Sequence, residues 1–264
     1  MNIIDGKKIA GEILESLKKE IKEKSLELCL SIILVGDDPA SILYIQKKEE
    51  AADKIGIKVK KYILSKDSSE EEILEIVNFL NQDKQVNGIL VQMPLPTYIS
   101  SDRIIQAINP KKDVDGFLLK SKFDSPFVLA IQKAINTTGK DLRDKKIIAL
   151  VNSDAFGKKL VDSLKPCLKK YILCKGCAFS GTASMVQADV IISALGQPNI
   201  IKSSMIKQDV ILIDGGISRK NGKIVGDVDK KSVKEKAKWL SPVPGGIGPM
   251  TVAFLLKNVV LSIK

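Results

Sequence analysis

The chain has 264 residues and a formal net charge of +11, with 42 basic and 31 acidic residues, and 44% of its residues are apolar. This length fits one large domain or two ordinary ones, and no stretch of about 18 uncharged apolar residues predicts a membrane span. The start of the chain lacks the charged and then apolar pattern of a signal peptide, so we expect a cytoplasmic protein. Dispersed lysines and only 5% aromatic residues do not favour a nucleic-acid-binding surface.

Histidine is absent from the chain, which removes both the commonest general base and a common zinc ligand. Cys174 and Cys177 form a C-x-x-C pair, but no second pair accompanies them. We therefore predict no metal site and leave a redox role for this pair open. Any acid–base chemistry must use lysine, aspartate, glutamate, tyrosine or cysteine side chains.

Apolar runs that end in glycine or a polar residue predict strands, and amphipathic segments between them predict helices. In the first half of the chain, strands are predicted at 28–35, 57–64 and 88–92, and helices at 8–23, 39–54, 69–80 and 103–108. In the second half, strands are predicted at 146–151, 171–174, 190–194 and 210–214, and helices at 126–138, 157–165, 250–263 and in a short stretch that ends at 188. This alternation predicts an α/β protein with two open, mainly parallel sheets, the second of them Rossmann-like.

Lys48 lies on the otherwise apolar face of the helix that Asp38 and Pro39 are predicted to start. Tyr44 precedes Lys48 by one turn on this face, whereas Lys47 lies on the solvated side. Burial of an ammonium group is costly and lowers its pKa. Lys48 is therefore either a lysine tuned for proton transfer or a side chain that extends its charge to the surface.

Two further polar residues follow predicted strand ends, where open α/β sheets bind their ligands. Gln92 ends one strand, and Asp115 lies in the loop that comes next along the chain. We expect Lys48, Gln92 and Asp115 to converge at this edge of the sheet. The alternatives are that Gln92 only ties down the proline-rich loop after it, and that Asp115 belongs only to a turn.

Five segments in a fixed order strengthen this interpretation. They are residues 37–48, 88–96 (GILVQMPLP), 112–117 (KDVDGF), 226–229 (GDVD) and 242–251 (PVPGGIGPMT). Together they closely resemble the bifunctional methylenetetrahydrofolate dehydrogenase/methenyltetrahydrofolate cyclohydrolase family, of the FolD type. The resemblance covers nearly the whole chain, and the second and fifth segments are highly specific.

The resemblance implies a folate-binding catalytic domain at residues 1–125 plus 246–264, a linking helix at 126–137 and a Rossmann-like NAD(P)-binding domain at 138–245, with the active-site cleft between the two domains. It implies oxidation of 5,10-methylenetetrahydrofolate with NADP or NAD, and hydrolysis of the 5,10-methenyl product to 10-formyltetrahydrofolate. It also implies a homodimer in one-carbon metabolism and purine biosynthesis, with tetrahydrofolate derivatives as ligands and neither nucleic acid nor membrane as a partner.

The resemblance assigns site residues as well. The catalytic residues are expected to be Lys48, Gln92, Tyr44 and Asp115. The substrate-binding residues are expected to be Tyr44, Gln92, Asp115, Pro244, Gly245, Gly246 and Pro249. The cofactor-binding residues are expected to be Asn152, Ser153, Gly157, Lys175, Ala194, Gly196, Asp214, Gly216 and Ile217. A lysine that is neutral part of the time can take a proton from water and return one to a ring nitrogen.

The first dinucleotide-binding motif departs from the family pattern Gly-Arg-Ser-x-x-x-Gly-x-Pro. Residues 151–159 keep only Ser153 and Gly157 of that pattern. Val151 replaces a glycine at the expected strand-to-helix turn, and a β-branched residue cannot readily adopt positive φ.

The second motif, a His-Ser-Arg-Thr in the family, is replaced by residues 175–178 (KGCA). A lysine there replaces an arginine only as a point charge. We therefore expect weak dinucleotide binding with at most a small preference for NADP. The alternative functions are a cyclohydrolase-only enzyme with an impaired cofactor site and a non-catalytic folate-binding protein of the same fold.

Overall fold

The structure is a computed structural model that describes residues 1–118, 120–165, 171–174 and 185–263. Its contacts divide the chain into two compact units. We call Ala10–Pro126 with Val252–Lys264 the N-terminal unit, and Met1–Ile9 with Phe127–Thr251 the C-terminal unit. Within the described residues, no helix combines the length and hydropathy needed to cross a membrane.

Helices and strands alternate along the chain as the sequence predicts, and the boundaries lie within a few residues of the expected ones. The helices are α1 (Gly6–Glu23), α2 (Pro39–Ile55), α3 (Glu70–Gln82), α4 (Ser101–Ala107), α5 (Pro126–Thr137), α6 (Asp154–Ser163), α7 (Lys230–Val233) and α8 (Ile247–Leu261). The strands are β1 (Asn2–Ile3), β2 (Leu28–Val35), β3 (Ile57–Leu64), β4 (Gly88–Val91), β5 (Ile147–Val151), β6 (Tyr171–Leu173), β7 (Val190–Ala194), β8 (Val210–Asp214), β9 (Ser218–Lys220), β10 (Lys223–Val225) and β11 (Ala237–Ser241).

The N-terminal unit contains a parallel sheet of three strands in the order β3-β2-β4. Every residue of the central strand β2 is buried, as expected for a parallel strand covered on both faces. Leu30 and Ile32 pack in one cluster with residues of α1, α2 and α8. Ile33 and Val35 point to the other face and pack with residues of α3 and α4. The sheet thus has a hydrophobic core on each side.

Helix α2 begins and ends at the residues that the sequence marks. The Asp38 carboxylate accepts a hydrogen bond from the backbone N–H of Ser41 at 2.8 Å, and Pro39 occupies the first turn. Gly56 ends the helix with a left-handed φ of 87°, and its N–H donates to the carbonyl groups of Ala52 and Asp53. These local signals fix where Tyr44 and Lys48 lie on the helix.

The C-terminal unit contains a sheet of six strands in the order β1-β11-β8-β7-β5-β6, and every pairing in it is parallel. The loops after β5, β7 and β8 therefore leave the same edge of the sheet, where ligands bind in folds of this kind. A separate antiparallel hairpin joins β9 and β10. The predicted fold class, α/β with two mainly parallel sheets, is confirmed.

The sequence did not predict β1, β11, the hairpin or α7. Asn2 and Ile3 of β1 pair with Trp239 and Leu240 of β11, so the first residues of the chain belong to the C-terminal unit. The contact-based units consequently differ from the predicted domains and linking helix at residues 1–9, 126–137 and 246–251. The assignment of a folate to one domain and a dinucleotide to the other stays a prediction. The short helix predicted to end at 188 lies largely outside the described residues.

Gly116 and Gly139 provide a matched test of backbone constraint, because both have a φ of 63°. A Cβ atom on Gly116 would lie 2.7 Å from the carbonyl oxygen of Phe123 and 2.8 Å from the backbone nitrogen of Ser125, whereas a Cβ on Gly139 would meet nothing within 4 Å. We expect Gly116→Ala to lower the midpoint of thermal unfolding clearly more than Gly139→Ala. Both variants bear the left-handed strain of about 1–2 kcal/mol, but only the first adds a collision with backbone. Equal shifts in calorimetry would show that the chain relieves the collision.

Candidate active site

The N-terminal unit brings Lys48 and Gln92 into direct contact. The Lys48 Nζ donates a hydrogen bond to the Gln92 Oε1 at 2.8 Å, and the Gln92 Nε2 donates to the carbonyl oxygen of Met93 at 2.7 Å. Because the amide has one acceptor end and one donor end, these two bonds fix its orientation. The backbone N–H of Gln92 also donates to the carbonyl of Ile33 at 2.9 Å, which continues the ladder beyond β4. Gln92 therefore holds the lysine as well as the loop that follows it.

The surroundings of Lys48 change its acid–base properties. Burial lowers the pKa of the Lys48 ammonium group, and the negative charge of Asp115 partly opposes this by raising it. Tyr44, one turn earlier on α2, is half-buried, and burial raises the pKa of its hydroxyl group. Lys47 is exposed. The hydrogen bond to Gln92 favours a lysine engaged in a site over one that extends its charge to the surface.

Asp113, which sequence analysis did not select, organises the loop that presents Asp115. Asp113 is fully buried, and its carboxylate accepts the backbone N–H groups of Phe117 at 3.2 Å and Leu118 at 2.9 Å. Its backbone pairs with Ile89 of β4 as an isolated parallel bridge. An aspartate followed by a glycine-containing turn is a recognisable Asx pattern, so a sequence signal for Asp113 was present.

Asn258, in helix α8, supports the same loop from a distant part of the chain. Its Nδ2 donates to the carbonyl oxygens of Val114 at 2.8 Å and Asp124 at 2.9 Å. Gly88 permits a close approach here, because a Cβ on it would lie 2.8 Å from the Val114 Cγ1. No local sequence signal could have identified Asn258, since Val114 is 144 residues away along the chain.

The predicted substrate-binding segment with Pro244, Gly245, Gly246 and Pro249 belongs to the C-terminal unit. Gly245 has a left-handed φ of 104°, and a Cβ on Gly246 would lie 2.6 Å from the carbonyl oxygen of Pro242. Both glycines are thus required by the backbone of this unit. Their contact with a substrate stays a prediction.

The turn between β5 and α6 and the start of α6 contain three of the predicted cofactor residues, Asn152, Ser153 and Gly157. Ser153 is the N-cap of α6 and accepts the backbone N–H of Phe156 at 3.4 Å, and the N–H of Gly157 donates to the Ser153 carbonyl at 3.0 Å. The Asn152 Nδ2 donates to the carbonyl oxygen of Leu195 at 3.2 Å. This bond joins the loop after β5 to the loop after β7.

The expectation for Val151 was wrong. Val151 is the last residue of β5, fully buried, and it pairs with Leu173 and Ala194 in the neighbouring strands. The turn begins only at Asn152, so a β-branched side chain meets no positive φ at position 151.

The remaining predicted cofactor residues lie at the ends of β7 and β8. Ala194 ends β7, and Gly196 has a left-handed φ of 69°. A Cβ on Gly196 would lie 3.6 Å from the carbonyl oxygen of Ile217, so the loops after β7 and β8 adjoin. Asp214 ends β8 with only 2% of its surface exposed.

The buried Asp214 carboxylate faces the interior of the unit. Its Oδ1 accepts the N–H of Gly216 at 3.1 Å and of Asp227 at 3.0 Å, and its Oδ2 accepts the N–H of Val228 at 3.0 Å. Burial raises the pKa of Asp214 to about 7, the charge of Asp227 adds to the rise, and the backbone donors oppose it. We interpret Asp214 as internal support for the loop that contains Gly216, and its contact with a cofactor stays a prediction.

Two other predictions concern the region around 175. Lys175 and Cys177 lie outside the described residues. Cys174 is buried, and burial raises the pKa of its thiol, which disfavours the reactive thiolate. Among the residues that the structure describes, no group of three or more potential ligands could hold a metal ion.

Comparison with known proteins identifies the family. Residues 4–115 match a family model described as tetrahydrofolate dehydrogenase/cyclohydrolase, catalytic domain. Residues 127–264 match the corresponding NAD(P)-binding domain. The chain is 40% identical to the bifunctional protein FolD of Halothermothrix orenii over 280 residues, covering 99% of this chain and 98% of that protein. It is also 40% identical to the bifunctional protein FolD of Campylobacter jejuni over 278 residues, covering 100% and 99%.

Solved structures agree with this result. The crystal structure of the bifunctional FolD dehydrogenase/cyclohydrolase from Campylobacter jejuni has a TM-score of 0.91 and 39% identity, covering 99% of this chain and 98% of that one. The Trypanosoma brucei FolD, solved with NADP and an inhibitor, has a TM-score of 0.90 and 26% identity, covering 98% and 96%. The matches cover both units of the chain. The chain therefore belongs to the tetrahydrofolate dehydrogenase/cyclohydrolase family.

Proposed function

We propose that this protein is a bifunctional one-carbon folate enzyme. It oxidises 5,10-methylenetetrahydrofolate with NADP or NAD and hydrolyses the 5,10-methenyl product to 10-formyltetrahydrofolate. The observation that supports this most directly is the hydrogen bond from Lys48 to Gln92, on the apolar face of α2 and within the field of Asp115. The family resemblance further favours a cytoplasmic homodimer that supplies formyl groups for purine biosynthesis.

The hydrolysis needs a group that moves protons but no metal, because the methenyl substrate is already a cation. Water adds to the bridging carbon and loses a proton to the neutral form of Lys48. The bond from this carbon to the ring nitrogen N5 then breaks, N5 gains a proton from the lysine ammonium group, and the new hydroxyl group loses its proton to give the formyl group. One proton is released overall. Burial lowers the pKa of Lys48, so the neutral form is available closer to neutral pH.

The neighbours of Lys48 divide the other tasks. The Oε1 of Gln92 accepts a hydrogen bond from the Lys48 Nζ and thereby fixes the position of this nitrogen. Asp115 keeps the pKa of Lys48 from falling as far as burial alone would bring it, and its carboxylate can accept two hydrogen bonds from an aminopyrimidinone edge. The ring of Tyr44 offers a surface on which an aminobenzoyl group can stack.

The C-terminal unit fits a dinucleotide through its backbone. The loops after β5, β7 and β8 leave one edge of the sheet, Ala194 and Gly196 are small, and Ser153 opens α6 at this edge. Asp154 in the first turn of α6 would oppose a phosphate, but it forms an ion pair with Lys158 at 2.6 Å. A nicotinamide bound there would supply the acceptor for the hydride of the methylene carbon, and the chain contributes binding and orientation.

A cyclohydrolase-only enzyme is the second candidate, and Asn152 favours it. This residue replaces a family arginine, and its amide nitrogen donates to the carbonyl of Leu195 within the protein. Loss of one charge-assisted hydrogen bond typically lowers affinity by about ten- to a hundredfold. The folate side of the proposal does not depend on this position.

The hydrolysis of 5,10-methenyltetrahydrofolate tests the role of Lys48. We expect Lys48→Met to lower the rate by about a hundredfold or more, because it removes the group that accepts and donates protons. Lys47→Met is the matched control on the exposed side of α2 and should act as the unchanged protein does. The decay of the methenyl absorbance gives both rates. A Lys48→Met protein of normal rate would remove Lys48 from the mechanism.

The pKa of Lys48 should respond to Asp115 with a defined sign. The Asp115 charge raises this pKa, so Asp115→Asn should lower it further, and the hydrolysis rate should rise with pH through a lower midpoint. The pH dependence of acylation of Lys48, followed by mass spectrometry in the free protein, measures the pKa directly. Asp53→Asn removes an equal charge from an exposed position of α2 and serves as the control. A rise of the pKa in Asp115→Asn would contradict the proposed electrostatics.

Calorimetric titration tests the cofactor side. We expect weak binding, with NADP and NAD within about tenfold of each other, because the missing arginine removes a bidentate phosphate ligand. Asn152→Arg should strengthen NADP binding and leave NAD binding nearly unchanged, since only NADP carries the 2′-phosphate. Micromolar NADP binding by the unchanged protein would show that other groups replace the arginine.

A further inference from the structure

Two carboxylates lie buried in the C-terminal unit at the edge of the sheet where β7 and β8 end. Asp227 is 0% exposed and Asp214 is 2% exposed. Among the described residues, their hydrogen-bond donors are backbone N–H groups and the hydroxyl group of Ser193, and no cation pairs with either. Burial of two carboxyl groups without a cationic partner costs free energy, so this arrangement calls for a role beyond packing. The segment 226–229 belongs to the family resemblance, yet none of the roles assigned so far uses it.

Asp227 holds the loop that follows β7. Its Oδ2 accepts the hydroxyl of Ser193 at 2.5 Å and the backbone N–H of Leu195 at 2.7 Å, and its Oδ1 accepts the N–H of Gln197 at 2.8 Å. Gly196, between these two anchored positions, has a left-handed φ of 69°. A single carboxylate thus fixes the backbone on both sides of the glycine.

Asp214 holds the loop that follows β8 and connects it to Asp227. Its carboxylate accepts the N–H groups of Gly216, Asp227 and Val228. A Cβ on Gly216 would lie 2.0 Å from the Asp227 Oδ1, and a Cβ on Gly226 would lie 2.0 Å from the Asp214 Oδ2. Each carboxylate therefore packs directly against a glycine of the segment that contains the other aspartate. The two buried carboxylates therefore connect the loop after β7 to the loop after β8.

These two loops contain the predicted cofactor residues Gly196, Gly216 and Ile217, at the edge where dinucleotides bind in folds of this kind. We propose that Asp227, with the support of Asp214, is a positioning residue for the dinucleotide cofactor. Its carboxylate holds the backbone of residues 195–197 in the shape that receives the cofactor and does not itself touch it. This inference rests on the proposed binding of NADP or NAD.

Asp227→Asn tests this role against a control from the same network. An asparagine side chain places an NH₂ group toward the N–H of either Leu195 or Gln197, so at least one anchor of the loop is lost. We expect the Kd for the preferred dinucleotide to rise about tenfold or more, with the corresponding KM rising in parallel and kcat at saturating cofactor changing little. Ser193→Ala removes a buried hydroxyl that bonds the same carboxylate but leaves both loop anchors in place. Its Kd should stay within about threefold of the unchanged protein.

Hydrolysis of 5,10-methenyltetrahydrofolate provides the control for folding, because the residues proposed to move its protons, Lys48, Gln92 and Asp115, lie in the N-terminal unit. Asp227→Asn should retain this activity. Unchanged dinucleotide affinity in Asp227→Asn, or equal weakening in Asp227→Asn and Ser193→Ala, would overturn the inference. Absence of dinucleotide binding by the unchanged protein would remove both the inference and the dehydrogenase half of the proposed function, while cyclohydrolase activity would remain.

Hydrogen–deuterium exchange of the unchanged protein gives a second test, which does not depend on the folding of any variant. Addition of the dinucleotide should protect the amide groups of residues 195–197 and 215–217 from exchange. Protection of neither segment at saturating dinucleotide would overturn the inference even if Asp227→Asn proved too unstable to study.

Discussion

The proposed chemistry depends on how a partly buried ammonium group is accommodated. Lys48 loses solvation on the face of α2, and the Oε1 of Gln92 replaces part of that water. Gln92 is held in place for this by two hydrogen bonds: its amide nitrogen donates to the carbonyl oxygen of Met93, and its backbone N–H donates to the carbonyl oxygen of Ile33. The position of Lys48 therefore depends on Gln92, which follows the end of β4. The register of the parallel sheet determines where β4 ends. Charge from Asp115 then sets how far the pKa falls.

The loop that contains Asp115 depends in turn on hydrogen bonds between side chains and uncharged backbone groups. Asp113 turns the loop by accepting two backbone N–H groups, and Asn258 holds the preceding and following segments of it from helix α8. Gly116 allows the chain to pass close to Phe123. An electrostatic property of one lysine thus rests on hydrogen bonds made by Asp113 and Asn258, which lie far apart in the sequence.

The sequence predicted well those features whose cause is local. Asp38 and Gly56 mark the two ends of α2, and Lys48 stands out because its neighbours on the helix face are apolar. The missed features have distant causes. The short strand β1 forms by pairing with β11. The role of Asn258 depends on its hydrogen bonds to a loop more than half the chain away in sequence. A single sequence contains no signal for such pairings.

Motif comparison was least reliable where a residue was assigned a role without regard to the strand, helix or loop that contains it. Val151 occupies the place of a family glycine, yet it is an ordinary buried strand residue. Asp214 bonds inward, and its contact with a cofactor stays a prediction. Side-chain ligands and backbone supports have different physical consequences in such a site. Loss of an arginine weakens the attraction for a phosphate but leaves the backbone in place. Loss of a buried carboxylate such as Asp227 would change where the backbone itself lies. Compared with the family motifs, this chain lacks an arginine of the first kind and has a carboxylate of the second kind, so we predict that it binds a dinucleotide with reduced affinity.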